Sequence, residues 1–193
     1  MAEKTEKMDY KKKYKDLYLP KAKPALIEVP PIPFIMVDGK GAPEDEAYQH
    51  AVATLYALTF TIKMSKMSAH QLDGYFEYTV PPLEGLWTSN VVGGKGDRHS
   101  WVWTSLIRQP EFVTPQVFEW AKEECKRKKP DVDVDKARLE TWEEGLCVQM
   151  MHIGPYSTEE ETVAKMSGWM EENGYKADLA DGRPGPFYTS DAA

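Results

Sequence analysis

The sequence is poor in cysteine, and this excludes the folds that cysteine chemistry holds together. Its 193 residues include two cysteines, Cys125 and Cys147, whose spacing fits neither a disulfide framework nor a CxxC motif. We expect each to be a small buried or half-buried residue in a reducing compartment. A chain of this length buries roughly 70% of its unfolded surface on folding and needs no disulfide or metal ion for stability. We therefore expect no metal and no cofactor.

An excess of positive charge and a long apolar run are also absent. The formal net charge is −7 and the pI is about 5.2, whereas a nucleic-acid-binding surface is usually basic. The first residues lack the apolar stretch of a signal peptide, and no apolar run approaches the roughly 20 residues of a membrane span. These absences predict a cytoplasmic protein that binds neither nucleic acid by itself nor a membrane, and they leave the oligomeric state open.

The usual catalytic signatures are missing as well. The four histidines lack metal-ligand spacing, and we expect His152 to be packed or hydrogen-bonded rather than a ligand. The glycine-rich stretch 91–96 lacks the phosphate-binding spacing and the hydroxyl residue that should follow its lysine. No serine-centred nucleophile elbow occurs.

What the sequence does contain is a repeated unit of strand, glycine turn and helix. The first copy runs from 34 to Gly39, and the second runs from 149 to Gly154, about 115 residues later. Acidic residues open the helix that follows each glycine. Such a unit has one apolar face that it cannot bury alone, so the repeat predicts two packed halves with a groove between them.

Hydrophobic periodicity predicts the order strand, helix, strand, strand, helix, strand, strand, helix and a weak last strand. This is an α+β pattern with two pseudo-symmetric strand-helix-strand-strand halves and a mainly antiparallel sheet. We expect a strand at 75–80, a hairpin turning at 143–145, and no regular structure at prolines 30, 31 and 33. Residues 1–24 form a lead-in, and residues 25–193 form one domain with halves at about 30–105 and 106–193. The predicted helix core positions are Ala51, Leu55, Leu58 and Ile62, then Phe118, Ala121 and Cys125, then Val163, Met166 and Met170.

Aromatic residues on predicted strands are the candidates for a binding site. Alternation places Trp101 and Trp103 on one face of their strand, and Tyr75 and Glu77 on one face of another. The same spacing is typical of core residues, and that interpretation stays open. As a site, the set describes an aromatic pocket containing an acid, where a cation over an indole gains about 0.5–2 kcal/mol. The acid would serve as a counter-charge or as a general base acting on water.

Several motifs in order resemble the GyrI-like (gyrase-inhibitor-like) small-molecule-binding domain family. They lie at 75–78, 81–87, 101–103, 143–145 and 152–156, with a similar lead-in at 16–20. The resemblance implies two pseudo-symmetric halves with the ligand in the groove between them. It also implies binding of bulky aromatic, often cationic compounds. Some stand-alone members are hydrolases that open the electrophilic cyclopropane of DNA-alkylating natural products.

The resemblance further implies a set of groove residues. Glu77 is the expected catalytic or counter-charge acid, and the expected ligand contacts are Tyr75, Glu77, Trp101, Trp103, Trp142, Met151 and Tyr156. Relatives carry a His-Glu-Ile-Tyr-like strand near the C-terminus, where this chain has Pro186 at the position of the glutamate. The missing second acid favours binding over hydrolysis.

Three functions follow as hypotheses. The first is binding of hydrophobic aromatic small molecules, which would protect the cell from toxic compounds. The second is cyclopropanoid hydrolysis, in which Glu77 activates water. The third is a protein-interaction module of the gyrase-inhibitor type, which would use the groove or the basic face at 126–129.

Overall fold

Five helices and six strands make up the part of the chain that the computed structural model describes, residues 7–68, 72–88, 97–155 and 158–177. The helices are α1 (Tyr10–Lys13), α2 (Lys15–Tyr18), α3 (Glu46–Lys63), α4 (Pro115–Lys128) and α5 (Glu159–Glu172). The strands are β1 (Ala25–Val29), β2 (Ile32–Lys40), β3 (Leu83–Thr88), β4 (Val102–Arg108), β5 (Ala137–Trp142) and β6 (Gly145–Gln149). Short 3₁₀ turns follow α3 and precede β4 and β5.

The strands form two antiparallel sheets. One has four strands in the order β3-β4-β2-β5, and the other pairs β1 with β6. The mixed α+β class with antiparallel sheets confirms the fold class predicted from the sequence.

Helices α3 and α4 pack on one face of the four-stranded sheet. Leu55, Leu58 and Ile62 of α3 meet Ile35 and Ile107 of the sheet in one buried cluster. Each such side chain contributes about 1.5–3 kcal/mol by leaving water. The predicted stripes of both helices are confirmed, because their seven core positions are all buried.

Helix α4 begins at residues whose chemistry is typical of a helix start. The Thr114 hydroxyl accepts a hydrogen bond from the backbone N–H of Val117 at 3.3 Å, and Pro115 occupies the first helical position. This cap satisfies one of the otherwise unpaired N–H groups of the first turn. The basic residues at the other end pair with acids, Lys126 with Asp135 at 2.7 Å and Lys128 with Glu124 at 2.7 Å.

The expected hairpin at 143–145 is wrong, because β5 and β6 do not pair with each other. They pair instead with β2 and β1, with Ile32 opposite Trp142 and Val29 opposite Gly145. Both pairs belong to one continuous register, so the two ladders are one long ribbon that bends at residues 30–31 and 143–144. Prolines at the bend lack the N–H that a continuous ladder would need.

The expectation that prolines delay the first strand to position 34 is also wrong. Pro33 lies inside β2, where its carbonyl accepts from the backbone N–H of Gln109 just past the end of β4. The reciprocal bond of this pair, from residue 33 to the carbonyl of Gln109, cannot form because proline has no N–H, and the β2–β4 ladder ends at the pair of Phe34 and Arg108.

Residues 75–80 do not form the expected strand. Their one bridge among the described residues joins Tyr78 to Met8 in parallel. Tyr75, Phe76 and Tyr78 all lie against the ring of Phe112, with centroid distances of 5.3, 5.4 and 6.1 Å. Neighbouring residues that face the same ring cannot alternate as a strand requires.

Helix α5 packs more loosely than predicted. Val163, Met166 and Met170 are half-buried, and Thr162 is the fully buried residue of this helix. The helix ends at its C-cap residue Asn173, and Gly174 follows. The φ of Gly174 is +76°, which is the left-handed conformation that favours glycine. Ser157, whose spacing from Glu160 is that of a capping box, and the expected last strand lie outside the described residues. No described helix is long and apolar enough to cross a membrane.

Candidate functional site

We call the face of the four-stranded sheet opposite α3 and α4 the helix-free face, because neither of these two long helices covers it. Residues directly opposite in an antiparallel pair share a face, so the register places Glu84, Leu106, Met36 and Arg138 in one row across it. The neighbouring row contains Arg108, Phe34 and Glu140, and the row on the other side contains Leu86, Thr104 and Asp38. The face therefore has an apolar centre between charged edges.

The apolar centre is a second buried cluster, separate from the helix-side core. It consists of Ile32, Phe34, Met36, Leu86 and Leu106. Three partly buried side chains pack against this cluster, Leu17 of α2, Val29 of β1 and Trp142 of β5. The bend of the long ribbon brings Val29 into this position, so the prolines at the bend help to shape the site.

Glu84 is the buried acid of the helix-free face. It is 8% exposed, and its Oε1 atom has no hydrogen-bond partner among the described residues. Burial, and after it the nearby carboxyl of Glu144, raise the pKa of this carboxyl from 4.5 to about 8. The Arg108 guanidinium and the Tyr18 hydroxyl partly oppose this shift because both stabilise the carboxylate. Glu84 therefore exchanges its proton near neutral pH.

Arg108 of β4 is the diagonal cross-strand neighbour of Glu84 of β3, and it is 5% exposed. Its Nε and Nη1 atoms are buried without a hydrogen-bond partner among the described residues, and its Nη2 lies 3.9 Å from Oε1 of Glu111. Buried unpaired donors are costly, so they mark a place where a water or a ligand oxygen would be bound favourably.

A second carboxyl lies at the bend of the ribbon. Burial raises the pKa of Glu144 to about 7, while a hydrogen bond from Cys147 lowers it. Burial also raises the pKa of the Cys147 thiol to about 12. The thiol is therefore protonated and unreactive at neutral pH.

Three tryptophans form a separate cluster on the helix side of the sheet. Trp87 lies 5.8 Å from Trp101 and 6.4 Å from Trp103, centroid to centroid, and Tyr48 of α3 contacts Trp103 at 5.1 Å. Trp101 and Trp103 share a face as the alternation predicted. Trp103 is 1% exposed. Gly39 makes room for it, because a Cβ there would lie 2.2 Å from the Trp103 ring.

Glu77 lies at the opposite end of α3. Its carboxylate pairs with Lys66, lies 4.0 Å from Nζ of Lys63, and accepts from the Tyr75 hydroxyl at 3.2 Å. The hydrogen bond from Lys66 lowers the pKa of Glu77. This group is an ionised surface carboxylate rather than a desolvated acid.

The structure does not bring Glu77 together with the tryptophans. Lys63 beside Glu77 and Tyr48 beside Trp103 are about 22 Å apart along the helix, at roughly 1.5 Å per residue. The expected single pocket containing both is therefore not formed. Period-two alternation placed Trp101 and Trp103 on one face correctly, but residues 75–80 are not a strand, and alternation carries no information about which ends of two segments meet.

The remaining sequence candidates lie in three places. Trp142 packs on the helix-free face, and its Nε1 is buried without a partner among the described residues. Met151 follows β6, and its backbone N–H donates to Lys21 at 2.8 Å. Tyr156 lies outside the described residues. His152 is hydrogen-bonded, as expected, with its Nδ1 2.8 Å from the Thr162 hydroxyl.

Glu84 is the site residue that the sequence interpretation missed. It stands inside the motif at 81–87, where Leu83, Gly85 and Trp87 face the helices while Glu84 and Leu86 face the other way. An acid that alternates with apolar residues in a strand is the signal that could have found it. Among the described residues, no group of three or more histidine, cysteine or acidic side chains is placed to hold a metal ion.

Apolar surroundings with a few convergent polar groups and an acid of perturbed pKa are the usual character of a small-molecule site. The chain belongs to the GyrI-like small molecule binding domain family, whose model matches residues 22–192. The resemblance seen in the sequence is thereby confirmed. Among curated proteins, none matches this chain.

Solved structures from Listeria innocua are similar over most of the chain. A crystal structure of a hydrolase is 54% identical, with a TM-score of 0.81 over 87% of this chain and 85% of that chain. A structure of an uncharacterized conserved protein is 49% identical, with a TM-score of 0.83 over 94% of this chain and 96% of that one. Another hydrolase structure is 48% identical, with a TM-score of 0.83 over 95% and 96% of the two chains.

Proposed function

We propose that this protein binds bulky hydrophobic aromatic small molecules, including cationic ones, on the helix-free face of its sheet. By sequestering such compounds in the cytoplasm, it would protect the cell from their toxicity. The observation that carries the proposal is the desolvated carboxyl of Glu84 beside an apolar cluster. The family supports a small-molecule ligand, and this geometry supports its aromatic character and its place.

The chemistry of Glu84 suits a cationic or polarised ligand. A protonated carboxyl costs little to bury, and it becomes a strong counter-charge when a cation replaces its proton. Glu77 fits this role less well, because Lys66 already neutralises its charge. Trp142 lies on the same face as Glu84 and is the sequence candidate that we place beside the ligand.

The other residues predicted from the sequence define alternative ligand contacts away from the helix-free face. Tyr75 and Glu77 would form a contact at the C-terminal end of α3, and Trp101 and Trp103 would form one at its N-terminal end. Met151 and Tyr156 would contribute from the segment after β6. A ligand titration with matched variants separates these places.

The test is a tryptophan-fluorescence titration with N-methylacridinium, a planar permanent cation, at pH 8.5, where Glu84 is largely ionised. We expect saturable quenching by the cation. Glu84→Gln should weaken binding at least about tenfold, or about 1.4 kcal/mol, because the counter-charge is lost. Glu77→Gln is the matched control and should bind as the unchanged protein does.

Absence of saturable quenching would refute binding of planar cations. Equal affinity in Glu84→Gln, with loss in Glu77→Gln, would move the site to the end of α3 where Glu77 lies.

A second candidate function is hydrolysis of electrophilic cyclopropanes. Two similar structures carry the description of a hydrolase, and a carboxyl with a pKa of about 8 has the proton affinity of a general base near neutral pH. In this reaction the Glu84 carboxylate would take a proton from water while the water oxygen bonds to the ring carbon. The ring C–C bond breaks, its electrons pass to the conjugated acceptor, and the acceptor takes up the proton.

Incubation with such a cyclopropane compound followed by mass analysis tests this function. A product heavier by one water, formed by the protein but not by Glu84→Gln, is the expected result. Unchanged compound at high protein concentration would rule out hydrolysis and leave binding in place. The position of Pro186, where relatives carry an acid, lies outside the described residues.

A further inference from the structure

The N-terminal segment of residues 8–18 passes from the helix-side core to the helix-free face. Met8 bridges to Tyr78, Tyr10 is buried in the helix-side core, and Leu17 contacts the apolar centre of the opposite face. The matched family region begins at residue 22, so these contacts belong to a part of the chain that the family model does not cover.

Two tyrosines of this segment hold Arg108 in place. The guanidinium carbon lies 4.4 Å from the centroid of the Tyr10 ring and 4.5 Å from that of Tyr14. Tyr10 is itself anchored, because its hydroxyl donates to Glu111 Oε2 at 2.8 Å. Cation–π contacts of this kind orient a guanidinium while its N–H groups stay available for other partners.

A third tyrosine of the segment, Tyr18, lies beside both Glu84 and Arg108. Its hydroxyl is close enough to hydrogen-bond with both side chains, and burial is the main cause of its raised pKa. Tyr18 is therefore a neutral hydroxyl whose proton faces a carboxyl and whose oxygen faces a guanidinium.

This arrangement leaves complementary polar atoms unpaired next to one another. Nε and Nη1 of Arg108 are donors without a partner, and Oε1 of Glu84 has none either among the described residues. Glu84 with its proton is a donor, and without it an acceptor. An oxygen atom that accepts from Arg108 and interacts with Glu84 would complete the set.

We propose that the N-terminal segment forms part of the ligand site, with Tyr10, Tyr14 and Tyr18 positioning Arg108 and Glu84 to bind an acceptor oxygen of an aromatic ligand. The ligand class is a flat aromatic compound that carries a carbonyl group. This proposal rests on the proposed function and names a chemical feature of its ligand. Tyr18 is a positioning residue in it, because it acts through Glu84.

The test compares two probes with the same ring system. N-Methylacridone is neutral and carries a carbonyl, whereas N-methylacridinium is a cation without oxygen. Arg108→Lys keeps the charge but removes the forked donors, so N-methylacridone should bind at least tenfold more weakly while N-methylacridinium binds within about twofold of the unchanged protein. Tyr175→Phe, which alters a tyrosine just after α5 that stacks on Trp169, is the control.

A second variant, Tyr18→Phe, removes one oxygen atom and is the milder change. Carboxyl carbon NMR should then show Glu84 releasing its proton at higher pH, because Tyr18, like Arg108, stabilises the carboxylate, while Glu144 acts in the opposite direction. A purely structural role would leave this titration unchanged.

Equal weakening of both probes by Arg108→Lys, or equal acridone affinity in all variants, would overturn the inference and indicate that water pairs with Arg108. In that case, binding of N-methylacridinium that depends on Glu84 would leave the proposed function intact. Failure of both probes to bind would instead remove the proposed function itself.

Discussion

Replacing Glu84 with glutamine should stabilise the protein, and the gain in the free energy of unfolding should increase as pH rises. The carboxyl is 8% exposed, and its pKa in the folded protein is about 8 against an ordinary value of 4.5. Below pH 4.5 the carboxyl holds its proton in both the folded and the unfolded state. Between 4.5 and 8 the unfolded chain ionises while the folded protein keeps its proton, so the free energy of unfolding falls as pH rises.

The magnitude follows from the difference between these two pKa values. Each pKa unit corresponds to about 1.4 kcal/mol, so the loss across the window reaches at most about 5 kcal/mol by pH 8 and about 3 kcal/mol by pH 7. Glutamine does not ionise and escapes this loss. Such a cost is expected of a functional acid, because active and binding sites commonly reduce stability.

Urea unfolding at pH 5, 6, 7, 8 and 9, followed by tryptophan fluorescence, measures the effect. The difference in the free energy of unfolding between Glu84→Gln and the unchanged protein should widen by about 2 kcal/mol or more from pH 5 to pH 8. Glu77→Gln is the control and should show no such widening, since Lys66 lowers the pKa of Glu77. Parallel pH profiles for Glu84→Gln and the unchanged protein would refute the claim that Glu84 is desolvated.

Three further predictions concern the ligand and the fold. Affinity for N-methylacridinium should rise as pH increases toward about 8, since a cation competes with the proton of Glu84, and a flat profile in isothermal calorimetry from pH 6 to 9 would contradict this. Gly39→Ala should destabilise the protein by about 1–3 kcal/mol, because the new Cβ would lie 2.2 Å from the Trp103 ring. Gly168→Ala should stabilise it by about 0.5–1 kcal/mol, because nothing lies within 4 Å of its new Cβ. Thermal unfolding compares the two variants, and equal effects would refute the packing argument. Thr114→Ala should cost about 1 kcal/mol in urea unfolding through loss of the α4 cap, and an unchanged midpoint would show that the cap contributes nothing.

The parts of the fold that depend on local patterns were predictable from the sequence. The buried stripes of α3 and α4 follow from the 3.6-residue period, and the cap at Thr114 follows from residue chemistry at a helix start. Faces within one strand were also predictable, as the shared side of Trp101 and Trp103 shows. Each of these features is fixed by residues close together in the chain.

The parts that depend on pairing over long distances were not predictable. Nothing local indicates that the turn residues at 143–145 continue a ladder with 29–32, because the partner strand is more than 100 residues away. The aromatic run at 75–78 had the alternation of a strand, but packing around Phe112 decided its conformation instead. The alternation in 83–87 could have indicated Glu84 as a candidate, but its burial depends on α2 and on the bend of the ribbon, which no local pattern shows.

The most direct test of the central claim is to ask which indole the ligand reaches. With ¹⁵N-labelled tryptophan, the Nε1–H resonances can be assigned by single Trp→Phe variants and followed while N-methylacridinium is added. Binding on the helix-free face predicts that the Trp142 resonance shifts most, while Trp87, Trp101 and Trp103 on the helix side change little. Large shifts of Trp101 and Trp103 with an unchanged Trp142 would place the ligand on the other side of the sheet and contradict the account.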